Sequence, residues 1–168
     1  MSVRYFKDHE IITIEDNSLS ELKKMAASAP LRRARYCLHH DNHDIVHEMV
    51  IAFCRDSYVR PHKHTNKSES FHMIEGELLV VFFNEEGKVE RAIAMKPKGQ
   101  GGCFLYRLSC ERWHTVIPLS EYVVIHEVTN GPFIKEDSIF PAWAPDDSRK
   151  EAVNEFIKGV KDQVGKLD

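Results

Sequence analysis

The sequence predicts a mainly β, single-domain protein of the barrel or jelly-roll type, with a helix at each end. Three observations carry this. About eight short apolar segments follow one another with turn residues between them. Helical periodicity is confined to two stretches near the termini, and no internal repeat is visible.

Composition narrows the function classes. Of 168 residues, 42% are hydrophobic and 29% charged, close to ordinary globular usage. A net charge of -3 argues against a general binder of nucleic acid or anionic membrane, which needs a basic excess. No apolar run approaches the length of a membrane span, and the first residues lack a signal-peptide core, so a cytoplasmic protein is expected. Cys37, Cys54, Cys103 and Cys110 are scattered without a Cys-x-x-Cys pair and read as reduced.

In chain order, Ile11, Ile12 and Ile14 form a short apolar run that fits an edge strand. Ser18-Leu19-Ser20-Glu21 has the form of a capping box, and Leu19, Leu22, Met25 and Ala26 share one helical face that Pro30 ends. Residues 1–30 are therefore a strand and helix packed on the barrel, 31–145 the barrel itself and 146–168 a C-terminal helix, all one domain. Arg32, Arg33 and Arg35 fit two readings, a phosphate grip or a solvated basic turn. His39, His40, His43 and His47 surround a turn-like Asp41-Asn42-His43-Asp44 and are either exposed polar residues or a second metal cluster.

Ile45 to Phe53 reads as a strand, as do Tyr58 to His64, Glu69 to Glu75 and Glu77 to Asn84. The last of these is continuously apolar, which indicates burial on both faces. Asn84 to Lys88 turns a hairpin into Val89 to Met95. The glycines from Gly99 to Gly102 have no helix after them and make no phosphate loop. Cys103 to Leu108 places Phe104, Tyr106 and Leu108 on one face, and Trp113 to Ile117 and Tyr122 to Val128 complete the strands. In the last strand Glu127 shares a face with Val123 and Ile125 while His126 takes the other; both stay candidates for the interior. Phe140 to Pro145 reads as a lid. Ser148-Arg149-Lys150-Glu151 offers a second capping box before the stripe Ala152, Val153, Phe156, Ile157, Val160 and Val164, which is expected to pack on the barrel or across a dimer interface.

The chemistry concentrates at Arg60-Pro61-His62-Lys63-His64. His62 and His64 are two apart, so both imidazoles leave a strand from the same face. Glu69 follows, then Phe71 and Met73 on its own face, and His114 lies far downstream. Imidazole and carboxylate suit Zn, Fe, Ni or Mn.

The order His62-x-His64, Glu69, Gly76 resembles the first motif of the cupin superfamily, and His114 stands where its second motif supplies the last ligand. The resemblance implies a double-stranded β-helix barrel and one divalent transition metal held by His62, His64, Glu69 and His114. Ser109 and Glu111 replace the Pro-x-Gly usual before that histidine, and Pro118 the usual Asn after it; these alter a turn rather than a ligand. A closer set of landmarks is Arg33-x-Arg35-x-Cys37-x-His39, Arg60-Pro61-His62, Trp113-His114, Glu127-Val128, Gly131-Pro132 and Trp143-Ala144-Pro145. It resembles the WbuC family of cupin metalloproteins, encoded among genes for bacterial surface-polysaccharide (O-antigen) synthesis. The resemblance gives a fold and a metal, not a substrate; a small-molecule ligand or substrate, a sugar, sugar phosphate or nucleotide sugar of that metabolism, is expected, as is a homodimer. Arg35, Arg60 and Phe71 are candidates to bind substrate, and His39, Glu48, Tyr106 and Glu127 to carry protons. A metal-dependent enzyme of open reaction type is expected; a dioxygenase or a non-catalytic metal and ligand-binding module are the alternatives.

Overall fold

The structure is a computed structural model that describes residues 2–7 and 9–167; Met1, Asp8 and Asp168 lie outside the described residues. In order the elements are β1 (Ser2–Tyr5), α1 (Asp16–Ser28), β2 (Arg33–Cys37), β3 (Val46–Cys54), β4 (Lys63–His64), β5 (Glu69–Glu75), β6 (Leu78–Phe83), β7 (Val89–Met95), β8 (Leu105–Leu108), β9 (Trp113–Pro118), β10 (Tyr122–Asn130), β11 (Ser138–Ile139) and α2 (Lys150–Val164). A six-stranded sheet in the order β1-β2-β3-β10-β5-β8 faces a three-stranded sheet β7-β6-β9, with a ribbon β11-β4 beside them. All pairs are antiparallel except β1 with β2. The two sheets form a single-domain jelly roll that is not closed into a continuous barrel.

Three apolar clusters organise it. The central one lies between the sheets and joins Met49, Ile51 and Phe53 of β3, Phe71 and Met73 of β5, and Leu78, Val80 and Phe82 of β6. The second lies outside the large sheet, where Leu22 and Ala26 of α1 cover Ala34, Tyr36, Val50 and Ala52. The third lies outside the small sheet, where Val160 of α2, with Phe156 and Ile157 beside it, covers Leu79, Val81 and Phe83. Strand β6 is thus sandwiched, with alternate residues in different clusters, which is why its sequence is uninterruptedly apolar.

Two glycines hold sharp corners. Gly76, between β5 and β6, has φ +79°, and a Cβ there would stand 2.3 Å from the Tyr122 carbonyl oxygen. Gly87, at φ +81° in the β6–β7 hairpin, lets Trp143 pack against the turn.

Several expectations are corrected. Ile11 to Ile14 forms no strand and Ile11 is 81% exposed; the N-terminal strand is β1, which pairs with the edge of β2. Helix α1 starts two residues before the expected box: Glu15 accepts from the Ser18 amide while the Ser18 hydroxyl accepts from the Glu15 amide. Helix α2 follows Arg149 without a side-chain cap, because Ser148 is engaged with Asp146 in the preceding turn. Of Tyr58 to His64, only Lys63–His64 is strand. Phe104 points outward and β8 begins at Leu105, with Tyr106 and Leu108 buried. The reading of Arg33 and Arg35 as a solvated turn also fails: they belong to β2, whose alternate residues Ala34 and Tyr36 are claimed by α1, so both arginines turn to the other face.

Candidate metal centre and its cavity

Strand β9 and the segment before β4 are tied by a two-way backbone bridge. The His62 amide donates to the His114 carbonyl at 3.0 Å, and the His114 amide to the His62 carbonyl at 2.9 Å. The two rings are therefore neighbours, with centroids 4.5 Å apart. His64, two residues on, lies on β4 and is braced by β11 through its pairing with Ser138. The potential ligand atoms of His62, His64 and His114 all lie within 4.8 Å of one another.

Each ring is oriented from behind. Nδ1 of His62 is 2.9 Å from the carbonyl of Arg60, and Nδ1 of His114 is 2.9 Å from the carbonyl of Arg112. A carbonyl only accepts, so both Nδ1 atoms carry the proton and both Nε2 atoms present a lone pair. Nδ1 of His64 meets the Ser138 hydroxyl at 3.2 Å. Such fixing of the far nitrogen is how ligand imidazoles are aimed.

Glu69 enters from β5 on the opposite sheet and is 3% exposed. Its Oε1 accepts a 2.5 Å hydrogen bond from the Tyr106 hydroxyl and lies 3.1 Å from His114 Nε2; its Oε2 lies 3.7 Å from His64 Nε2. His114 Nε2 is buried and makes no hydrogen bond. A lone pair facing a carboxylate in a buried site calls for a positive charge between them, either a proton or a metal cation. The donor set thus fits a divalent metal.

The electrostatics follow from this crowding. Burial, then the His114 and His64 rings, push His62 down to about 3, so it stays neutral at physiological pH. Burial also lowers His64. For Glu69 burial acts upward, but the adjacent His114 ring and the hydrogen bond from Tyr106 prevail and hold it at about 2. Burial works against a charge on His114, yet Glu69 outweighs it and raises that ring. Tyr106 is raised by burial and by the Glu69 carboxylate it serves.

The cluster opens into a cavity of about 570 Å³ between the sheets, a volume suited to a small molecule. Its wall contains all four predicted ligands, together with Arg35, His39, Arg60, Phe71 and Glu127. Register explains the grouping. Met49 of β3 pairs with Glu127, Glu127 with Phe71, and Phe71 with Tyr106, so one row of inward side chains crosses the sheet. Glu127, and not His126, therefore faces inward. Its burial, followed by Glu69, pushes its carboxyl up to about 8. Tyr106 lies behind Glu69. Glu48 is not brought to the cavity: it sits on the outer face of β3, where its carboxylate is 3.5 Å from Nε2 of His126.

Among the lining residues that the sequence reading did not assign to the site are Arg33, His47, Lys67 and Phe140. The period-two spacing of Arg33, Arg35, Cys37 and His39 was the signal for the first, and the odd-numbered series His47, Met49, Ile51, Phe53 for the second. Phe140 belongs to the predicted lid. It lies 6.2 Å from the His62 ring and carries the Arg60 guanidinium on its face at 5.3 Å. Arg60 also reaches the Pro141 carbonyl and Asp146.

A sequence profile described as a domain of unknown function (DUF6016) matches residues 14–95, just under half of the chain. No protein with a curated description matches it significantly. Among solved structures, Protein SO0799 from Shewanella oneidensis is similar at 9% identity, with 73% of this chain and 75% of that chain covered and a TM-score of 0.52. An oxalate oxidase in complex with the substrate analogue glycolate is similar at 15% identity over 83% of this chain and 74% of that one, with a TM-score of 0.51. A cupin superfamily protein from Desulfitobacterium hafniense DCB-2 aligns more loosely, at 12% identity over 58% of this chain and 76% of that one, with a TM-score of 0.46. No helix among the described residues is long and apolar enough to cross a membrane. Two facing sheets, and the likenesses of fold to the Shewanella protein and the oxalate oxidase, make the chain a single-domain jelly roll.

Proposed function

We propose that this chain is a cupin metalloprotein whose His62, His64, His114 and Glu69 hold one divalent iron, manganese, nickel or zinc ion, and that it acts as a metal-dependent enzyme on a small molecule in the cavity. The observation that carries this is the convergence of three back-braced imidazoles on a buried carboxylate at the wall of that cavity. Such an ion would act as a Lewis acid on a bound carbonyl or water. The chain's own contribution is positional. Tyr106 occupies Glu69 Oε1 and leaves Oε2 turned to His64. Glu127 offers a protonated carboxyl to a ligand at neutral pH, and Phe71 and Phe140 give apolar walls that limit water.

Within this reading the substrate is a sugar or nucleotide sugar of surface-polysaccharide (O-antigen) metabolism, the chain a WbuC-like member of the cupins, and the protein a cytoplasmic homodimer. The likeness of its motifs supports that context, and the cavity is roomy enough for a sugar. A purely ligand-sensing role for the same site is the second reading, favoured by the thorough internal pairing of Glu69.

The test is metal content after purification without added metal, measured beside His114→Ala. About one metal per chain in the parent, lost or loosened in the variant, is the expected result for a single four-ligand site. Absence of metal in both, even after reconstitution, would sink the proposal.

A further inference from the structure

Taking the cavity as a small-molecule site, as above, we propose that Arg33 and Arg35 form an oxyanion subsite within it, which takes the phosphoryl or carboxylate end of the ligand. The inference begins with charge pairing. Four basic side chains line the cavity, Arg33, Arg35, Arg60 and Lys67. Two are answered by carboxylates: Arg60 by Asp146 at 3.5 Å and Lys67 by Asp137 at 3.2 Å. Arg33 and Arg35 have no carboxylate within ion-pair distance among the described residues. Arg33 donates from Nη1 to the Tyr58 carbonyl at 2.8 Å, and Arg35 from Nη1 to the Met49 sulfur at 3.5 Å, a weak acceptor. The Nε of each is buried without any hydrogen-bond partner.

Half-buried cations without an ion-pair partner are costly, and a fold keeps them where something outside the chain answers them. Burial is enough to pull Arg33 below its ordinary range, with Asp147 offsetting only part. The geometry suits one anion. Residues two apart on a strand lie about 7 Å from each other on the same face, so two flexible guanidiniums can close on a single oxyanion, each by a fork of N–H groups. The partners that hold them there are local. Ala34 and Tyr36 are locked under α1, which fixes the face of β2, and Arg35 pairs in register with Ile51, whose side chain also lines the cavity.

Position then gives the subsite its use. Strand β2 is separated from β5, which carries Glu69, by β3 and β10, an interval of three strand spacings or about 14 Å. Glu127 of β10 lies in between and senses both Arg35 and His114. A ligand anchored at β2 that also meets the histidines is longer than a free phosphate, with its uncharged portion across Glu127.

The experiment is isothermal titration of metal-stripped, full-length protein with inorganic phosphate, with malonate and with a neutral monosaccharide. The parent, the single variants Arg33→Met and Arg35→Met, and the double variant are compared, each also followed by thermal melting. The parent is expected to bind phosphate or malonate but not the neutral sugar, with the tighter of the two identifying a phosphoryl or a carboxylate end. Affinity falls at least tenfold in the double variant. Each single variant melts at a higher temperature than the parent, because an unpaired, half-buried charge is gone; a merely structural arginine would lower it. Unchanged anion affinity in the double variant, no anion binding by the parent, or lower melting temperatures in both single variants would overturn the proposal. Because the metal is absent throughout, a chain that proves never to bind metal yet holds the anion through these arginines would overturn the metal reading and leave the subsite standing.

Discussion

Two groups of histidines share one cavity and are built to opposite plans. His62, His64 and His114 converge, with tilted or edge-on rings and ligand atoms gathered within 4.8 Å. His39 and His47 lie flat on each other, with centroids 4.1 Å apart and planes 5° apart. Parallel rings at stacking distance send their nitrogens out edgewise in parallel planes, where no common ion can be reached. In the first group, backbone carbonyls behind His62 and His114 fix which nitrogen is free and the Ser138 hydroxyl braces His64; in the second, the His39 ring is held by the Glu48 carbonyl at 3.0 Å. Burial, then the His39 ring beside it, also lowers His47. Number and nearness of histidines do not make a metal site; convergent lone pairs beside a buried carboxylate do.

That contrast can be broken most severely by replacing His62 and His64 together with alanine. Metal retention is expected to fall from about one per chain to a trace, read by elemental analysis, since two of four donors are gone. Undiminished metal would refute the convergent site.

A second test exploits the carboxyl that lies between the groups. In the metal-free protein Glu127 titrates at about 8, above its ordinary value, so the folded state binds a proton there that the unfolded chain has released. That stabilisation is complete below the unfolded carboxyl range and is lost as pH rises through about 8. The groups that act on it are Glu69 from β5, Arg35 from β2 and His114 from β9. Melting temperature is therefore expected to drop by several degrees between about pH 6 and pH 9, and Glu127→Gln should flatten most of that slope. An identical slope in the variant would assign the loss elsewhere.

The smallest effect sharpens the comparison from the other side. His47→Ala should leave metal content untouched and cost on the order of 1 kcal/mol, the worth of a stacked aromatic pair, by denaturant unfolding. Metal loss in that variant would mean that the stacked pair belongs to the centre after all.

Much of the fold was legible because local periodicity is a local property. The apolar run Leu78–Phe83, the hairpin at Asn84 to Lys88 and the two helical stripes each carry their own pattern, and each forms where it was read. Boundaries fared worse where a competing partner intervened. Ser148 was drawn into a turn with Asp146 rather than capping α2, and Glu15 took over the start of α1. In the candidate site, His62 and His64 were marked by their spacing. Arg33 stayed between a phosphate grip and a solvated turn because the basic run Arg32-Arg33-Ala34-Arg35 does not show its face until α1 is known to cover Ala34 and Tyr36.

The sequence by itself determined which side chains travel together: His62 with His64, Glu69 with Phe71, Arg33 with Arg35, Glu127 with Ile125. In an extended chain alternate residues share a face whatever surrounds them. Only the tertiary structure decided which of two faces became the interior, and what met there. Choosing Glu127 over His126, joining His114 to His62 across more than fifty intervening residues, and laying His39 on His47 all depended on strand pairing and on helices covering one side of a sheet. Those choices are made by burial of apolar surface summed over distant segments, and no stretch of sequence encodes that sum alone.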